Sequence, residues 1–395
     1  MSPDRDPHNT WVPIALGMFI IAFGANAFAP MLLVYRTHSG LSEQTVTFLL
    51  GTYVLGLIPA LLIAGPLSDH LGRRRFMRIA FLASLAASFL FSIAPLVDAL
   101  LHITVLALAR FTCGIAVGCV MASGAAWLRE ASSAPATIAA RRATVATSAG
   151  FGLGPLLSGL IAQFLPAPLL LPWLMHLAGV LAIGALAWNA PETIRAVNTR
   201  VRRRGLPPAA FTARFLWSVA AWAPWAFGCA TTSFATLATL SAHSITHKVA
   251  YTGAVAALTM LSGVAIQPLT TRLGSGFVPP AVVGLAMAFM GMVLGWIIAI
   301  TGSPAWMIPG AIDLGCSYGI MMVSGLREVE TIAPSADLGA LIGVFYALTY
   351  VGFFAPFVLS LVGPVFGFPR VFLFGALVIA ISVFPVTHVI RKHQP

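Results

Sequence analysis

Apolar residues run in stretches of about twenty, broken by short polar clusters, from Trp11 almost to the end of the chain. A helix rises about 1.5 Å per residue, so a run of that length crosses a hydrocarbon core of about 30 Å. The pattern predicts twelve spans, near residues 11–34, 44–64, 76–97, 102–128, 143–165, 169–189, 214–240, 249–270, 278–301, 305–326, 338–361 and 371–389. The longest polar segment, 191–213, separates two sets of six. The expected fold is therefore an all-α integral membrane protein with twelve transmembrane helices in two pseudo-symmetric six-helix bundles, 1–190 and 214–395, joined by a cytoplasmic linker.

Composition fixes the solvent. Of 395 residues, 59% are hydrophobic and 8% charged, and the mean hydropathy is +0.93, too little polar surface to cover a water-soluble globule of this size. The formal charge of +11 is spread in short clusters between apolar runs, a pattern that excludes a nucleic-acid-binding face and follows the positive-inside rule. Arg5, Arg73, Arg74, Arg75, Arg78, Arg129, Arg141, Arg142, Arg272, Arg327, Arg391, Lys392 and the group from Arg195 to Arg214 fall on one side. Arg36, Lys248 and Arg370 fall on the other, so both termini are expected in the cytoplasm. The arginines of the linker, VRRRG at 201–205 among them, suit an anionic-lipid anchor better than a protein partner. Lysine is confined to Lys248 and Lys392, a bias that points to a GC-rich bacterial coding sequence and hence to the bacterial cytoplasmic (inner) membrane.

Small-residue sequence ANAFA, at 25–29, resembles a signal-peptide cleavage site, but the apolar run before it is too long for a signal core and its flank carries one arginine between Asp4 and Asp6. Cys113, Cys119, Cys229 and Cys316 all fall inside apolar runs without a CxxC pair or a histidine at ligand spacing, and read as small core residues, with no metal.

The two sets of six carry a repeat. GPLSDHLGRRR at 65–75 lies between spans two and three, and QPLTTRLGSG at 267–276 lies between spans eight and nine. Arg129-Glu130 after span four is matched by Arg327-Glu328 after span ten. Halves related by an axis along the membrane normal are the arrangement of transporters that bind at the midplane and rock. GPLSDHLGRRR resembles, in position and residues, the signature of the major facilitator superfamily, and the chain as a whole resembles its twelve-span drug/proton antiporter branch. Gly65 and Gly72 suit a tight turn, and Asp69 supplies an anion able to face a neighbouring helix N-terminus. The resemblance implies that Asp69 and Arg73 stabilise an outward-open state, while His70 departs from the arginine usual there.

RFTCGIAVG at 110–118 resembles a second pattern of that family. Arg110, Gly114 and Gly118 share a helical face; the glycines permit close approach, and an intramembrane arginine faces either an interior cavity or counter-charge, or snorkels to the interface. Span five holds AGFGLGPLLSG at 149–159, similar to the family's antiporter pattern at Gly150, Gly154, Pro155 and Gly159, with Ser158 in place of a glycine. These small residues suit packing against the other half, and Pro155 removes a backbone donor.

Asp313 is the carboxylate placed well inside a span, and it leads the candidates for proton coupling, because a buried carboxylate favours its neutral form unless a cation faces it. Arg110 and Asp313 each lie about eight residues, roughly 12 Å, from the outer ends of spans four and ten; they either meet across a cavity or sit one turn apart. Asn26, Tyr53, Trp222, Trp225, Tyr318 and Tyr346 are candidate substrate contacts, each equally readable as membrane packing. His176 reads as a proton relay or a hydrogen-bonded packing histidine. No nucleophile motif, phosphate loop, Walker pattern or metal cluster is visible, so neither an enzyme nor a cofactor is expected. The reading that follows is a monomeric secondary transporter, with protons, a small-molecule substrate and the lipid bilayer as its partners. It is a proton-coupled antiporter exporting small amphiphilic compounds, or alternatively a proton symporter importing a nutrient or organic anion.

Overall fold

The computed structural model describes residues 10–194, 206–273, 278–334 and 337–392. Arg5, Arg195, the VRRRG group and Gly274 to Gly276 lie outside them. Twelve helical segments follow one another: α1 (Val12–His38), α2 (Glu43–Leu71), α3 (Arg73–Ile93), α4 (Ala99–Glu130), α5 (Ala136–Phe164), α6 (Leu171–Ala187), α7 (213–240), α8 (Lys248–Leu273), α9 (Pro280–Thr301), α10 (Met307–Ile332), α11 (Leu338–Phe366) and α12 (Phe368–Lys392). Ten are long and apolar enough to cross a membrane, one of them, α11, passing through a 3-10 turn at Gly352–Phe354. The all-helical, twelve-span fold read from the sequence is the fold found.

The other two segments, α6 and α7, fall short of such a run. Helix α6 has 17 residues. Segment α7 is interrupted by wider π turns at Leu216–Ala220 and Thr232–Leu237. Pro224, at the start of the Ala223–Thr231 stretch, has no N–H to return to the preceding turn. Just before the second π turn, the Thr231 hydroxyl donates 3.1 Å to Gly352 O of α11.

The signature motif corrects one expectation. Residues 65–71 form the last two turns of α2 rather than a loop, and α3 begins at Arg73. Gly65 is helical, with open space where a Cβ would stand, so the turn rests on Gly72 alone, at φ 97° and ψ 145°. That backbone region is essentially restricted to glycine.

Chain contacts form two compact units, Met1–Phe28 with Thr52–Arg203, and Ala29–Gly51 with Arg204–Pro395. The second unit thus takes in the tip of the α1–α2 hairpin. There the Thr47 hydroxyl donates to Ser360 Oγ at 3.1 Å, Gln44 Nε2 donates to Ser360 O at 3.3 Å, and Phe48 meets Phe357 edge-on at 5.3 Å.

Within each unit, small residues bring backbones together. A Cβ added at Gly114 or Gly118 would stand within 3.0 Å of Tyr53 O or Leu57 O, so α4 lies directly on α2. In the second unit Gly315 and Gly319 face Thr259 O and Gly263 O in the same way, laying α10 on α8. Without a water-driven hydrophobic force between helices in lipid, such close packing carries much of the association.

Candidate functional site

In the first unit the polar interior centres on Arg110, which is fully buried. Its guanidinium lies over the rings of Phe28 (4.5 Å) and Tyr53 (4.7 Å), and Nη1 donates to Ala25 O at 3.1 Å. A planar cation between two aromatic faces is held in orientation as well as in place, an arrangement a lysine would not reproduce. The structure therefore joins two residues nominated separately, Arg110 and Tyr53. Phe28, the third member, gave no signal in the sequence beyond its place one turn after Ala25.

Asn26 lies close by in sequence but is engaged elsewhere, its Nδ2 donating 3.3 Å to Phe151 O of α5. Gly150 and Gly154 admit the backbone of α1 at Phe19 and Phe23, and Ser158 Oγ donates 2.9 Å to Ala27 O. Gly159 is buried on the same helix, and Pro155 sits within an α5 that continues to Phe164. Packing against the second half was the expectation for these residues; the partner seen at Gly150 and Gly154 is α1 of their own unit, because both glycines point at its carbonyls. His176 bridges α1 and α3, with Nε2 2.9 Å from Ile20 O and Nδ1 2.6 Å from Ser88 Oγ. Both ring nitrogens are thus used in packing.

At the arginine-rich end of the same unit, Arg73 gathers three partners: Asp69 at 2.6 Å, Glu130 at 3.2 Å and Ser68 Oγ at 2.7 Å. Asp69 therefore pairs with the arginine four residues ahead. The carboxylate at the N-terminus of α3 is Glu192, which accepts from Arg73 N at 2.9 Å and Arg74 N at 3.0 Å. Glu192 was hidden in the sequence at the head of the linker. The repeat has a counterpart here, since Glu328 accepts from Arg214 Nε at 3.0 Å and from Ser218 Oγ at 3.2 Å.

In the second unit Asp313 is partly buried on α10. Its Oδ2 is buried without a hydrogen-bond partner and faces the position a Cβ would take at Gly291 of α9. Ser317, one turn on, donates 2.9 Å to Gly284 O of α9, so this stripe of α10 is turned to α9. Tyr318 lies on another face, its ring 4.9 Å from Phe227, which stacks on Tyr350 at 4.5 Å and meets Phe353 at 5.1 Å. Trp222 is fully buried, with Nε1 donating 2.6 Å to Ser218 O. Its ring meets Phe345, whose other neighbour is Tyr346 at 5.8 Å. Trp225 is partly exposed. The aromatic cluster of α7, α10 and α11 was legible only through Tyr318; Phe227, Tyr350 and Phe353 looked like ordinary membrane residues. Arg110 belongs to the first unit and Asp313 to the second. Among the described residues, no group of three or more His, Cys, Asp or Glu side chains is arranged to hold a metal.

Residues 14–355 match the protein family described as Major Facilitator Superfamily. No curated protein matches the chain in sequence. Similar solved structures include the nucleoside transporter NupG, as a mutant, with 11% identity, TM-score 0.74, and 97% of this chain and 100% of that chain covered. The peptide transporter POT, as a mutant in complex with alafosfalin, has 13% identity and TM-score 0.73, with 98% and 96% covered. A POT family transporter in complex with a thioalcohol-conjugated peptide has 11% identity and TM-score 0.75, with 98% and 96% covered. At these identities the likeness is one of fold.

Proposed function

The chain belongs to the Major Facilitator Superfamily and is therefore a membrane transporter rather than an enzyme, and on that premise we propose that it is a proton-coupled antiporter exporting small amphiphilic compounds by alternating access. The observation that carries this reading is Asp313, whose Oδ2 is buried and has no hydrogen-bond donor. Proton binding is the chemistry such an oxygen offers, and an intramembrane carboxylate left without a donor is costly unless it works. The aromatic faces of α7, α10 and α11 supply apolar surface for an amphiphilic cargo, with Tyr318, Tyr346, Trp222 and Trp225 as the proposed contacts; Asn26 and Tyr53 are the proposed contacts of the first unit. Asp69, Arg73 and Gly72 form the proposed conformational latch at the arginine-rich end. The proposed setting is the bacterial inner membrane, with both termini cytoplasmic and the chain acting as a monomer.

One observation favours the alternative of proton-coupled import. Arg110, oriented between Phe28 and Tyr53, is the group that would hold the carboxylate of an organic anion. Energised inside-out vesicles separate the two readings. Under export, amphiphilic compounds dissipate the proton gradient in wild type and not in Asp313→Asn. If the variant behaves as wild type, Asp313 is not the coupling site; if organic anions alone elicit proton movement, and Arg110 variants lose it, import is the function.

A further inference from the structure

The positive-inside rule leaves three basic residues, Arg36, Lys248 and Arg370, on the side away from the arginine-rich loops. Two of them, Arg36 and Lys248, line one cavity of about 410 Å³ in the second unit, together with His243, Glu43, Ser42 and Thr239. The volume lies in the range of small-ligand sites. Its charges do not cancel. Arg36 meets Glu43 through a single contact, Nη2 to Oε2 at 3.4 Å, which leaves most of the guanidinium's donors for another acceptor. Lys248 has no acidic partner among the described residues, and it stands at the first residue of α8, where the helix dipole adds to its positive field. The exposed imidazole of His243 reaches a second opening of about 610 Å³ over the end of α9, so the cavity is open to the aqueous side.

From this geometry we infer that the cavity between the α1–α2 turn and the start of α8 is a binding site for a small anion carrying a carboxylate or phosphate group. Arg36 and Lys248 supply the charge, His243 and Ser42 supply further polar atoms, and Glu43 holds Arg36 in place. Because residues 33–43 form one wall and residues 239–248 the other, an occupant binds only while the hairpin tip lies on α7 and α8. Ligand that binds one arrangement stabilises it. Occupancy therefore strengthens the contact that Thr47 makes with Ser360. The site is independent of Asp313 and of the direction of transport.

The test uses full-length protein in phosphatidylcholine nanodiscs, with succinate or inorganic phosphate as probe and sodium chloride at matched ionic strength as control. Succinate or phosphate is expected to raise the unfolding midpoint saturably. Lys248→Gln should weaken the apparent affinity about tenfold, the loss of one charge-assisted hydrogen bond, and Lys248→Gln with Arg36→Gln should abolish the effect. In a Thr47→Cys/Ser360→Cys protein, succinate should speed disulfide formation. An effect that appears only with phosphatidylglycerol in the disc, and still needs Lys248, identifies a lipid phosphate as the source of the same chemistry. A chloride effect equal to that of succinate, or a Lys248→Gln response equal to wild type in both lipids, overturns the proposal.

Discussion

Gly72 and Glu192 form one device, and two substitutions test it. The backbone of Gly72, at φ 97° and ψ 145°, would cost an alanine about 1–3 kcal/mol by conformation alone. A Cβ there would also fall within 3.0 Å of Glu192 Oε2, evicting the carboxylate from the two amides it caps. Losing a cap at a helix N-terminus costs about 0.5–2 kcal/mol, and the lost dipole interaction about 0.3–1 kcal/mol more. Glu192→Ala is therefore expected to destabilise by about 1–3 kcal/mol and Gly72→Ala by about 2–6 kcal/mol. Since the alanine at 72 has already removed the cap, the double substitution should cost little more than Gly72→Ala alone. Membrane proteins often unfold irreversibly, so the assay is the rate of thermal inactivation in detergent, where about 1.4 kcal/mol in the barrier is tenfold in rate. Full additivity in the double variant would refute the reasoning, because the two residues would then act separately.

Glycines separate along the same lines. Gly319→Ala drives a Cβ against Gly263 O and is expected to destabilise by about 1–3 kcal/mol, whereas Gly65→Ala, in open helical space, should be neutral or stabilising by about 0.5–1 kcal/mol; equal unfolding midpoints for the two would contradict the packing described. Arg110→Lys keeps the charge but loses the flat stack on Phe28 and Tyr53, and is expected to lower stability by about 1–3 kcal/mol, measured as the unfolding midpoint in detergent with Arg110→Gln as the more severe comparison.

The spans were legible because length and apolarity are enough to place a helix in lipid, where every backbone group must bond within the segment. What the pattern hid were places where polarity and conformation part company. GPLSDHL reads as a loop by its residues, yet it continues α2 to Leu71, since only Gly72 has a backbone that a helix cannot use. Segment α7 reads as one apolar run, yet Pro224 and two π turns break it. At the site, Arg110 and Tyr53 stood out singly as a charge and an aromatic in the membrane, but which ring meets which cation is decided by helix packing, so Phe28 stayed hidden. Glu192 was hidden for the opposite reason: a carboxylate at the edge of a basic linker looks solvated until the N-terminus of α3 is brought to it.

The comparison of the two halves shows where selection by chemistry takes over from selection by packing. Gly114 and Gly118 of α4 meet carbonyls of α2, and Gly315 and Gly319 of α10 meet carbonyls of α8, in the same manner, because two helices can approach that closely only where a Cβ is absent. Glu130, the last residue of α4, and Glu328, four residues before the end of α10, each pair with an arginine, Arg73 in one case and Arg214 in the other. Those features serve close helix packing, and both units repeat it. The interior charges are not repeated: a cation, Arg110, is cradled by aromatic rings in the first unit, and a carboxylate, Asp313, is left without a donor in the second. A symmetric pair of charges would bind a proton or a substrate ion alike from either half. Two unlike groups can answer to different ligands, which is what the proposed coupling of a proton to a substrate requires in either direction.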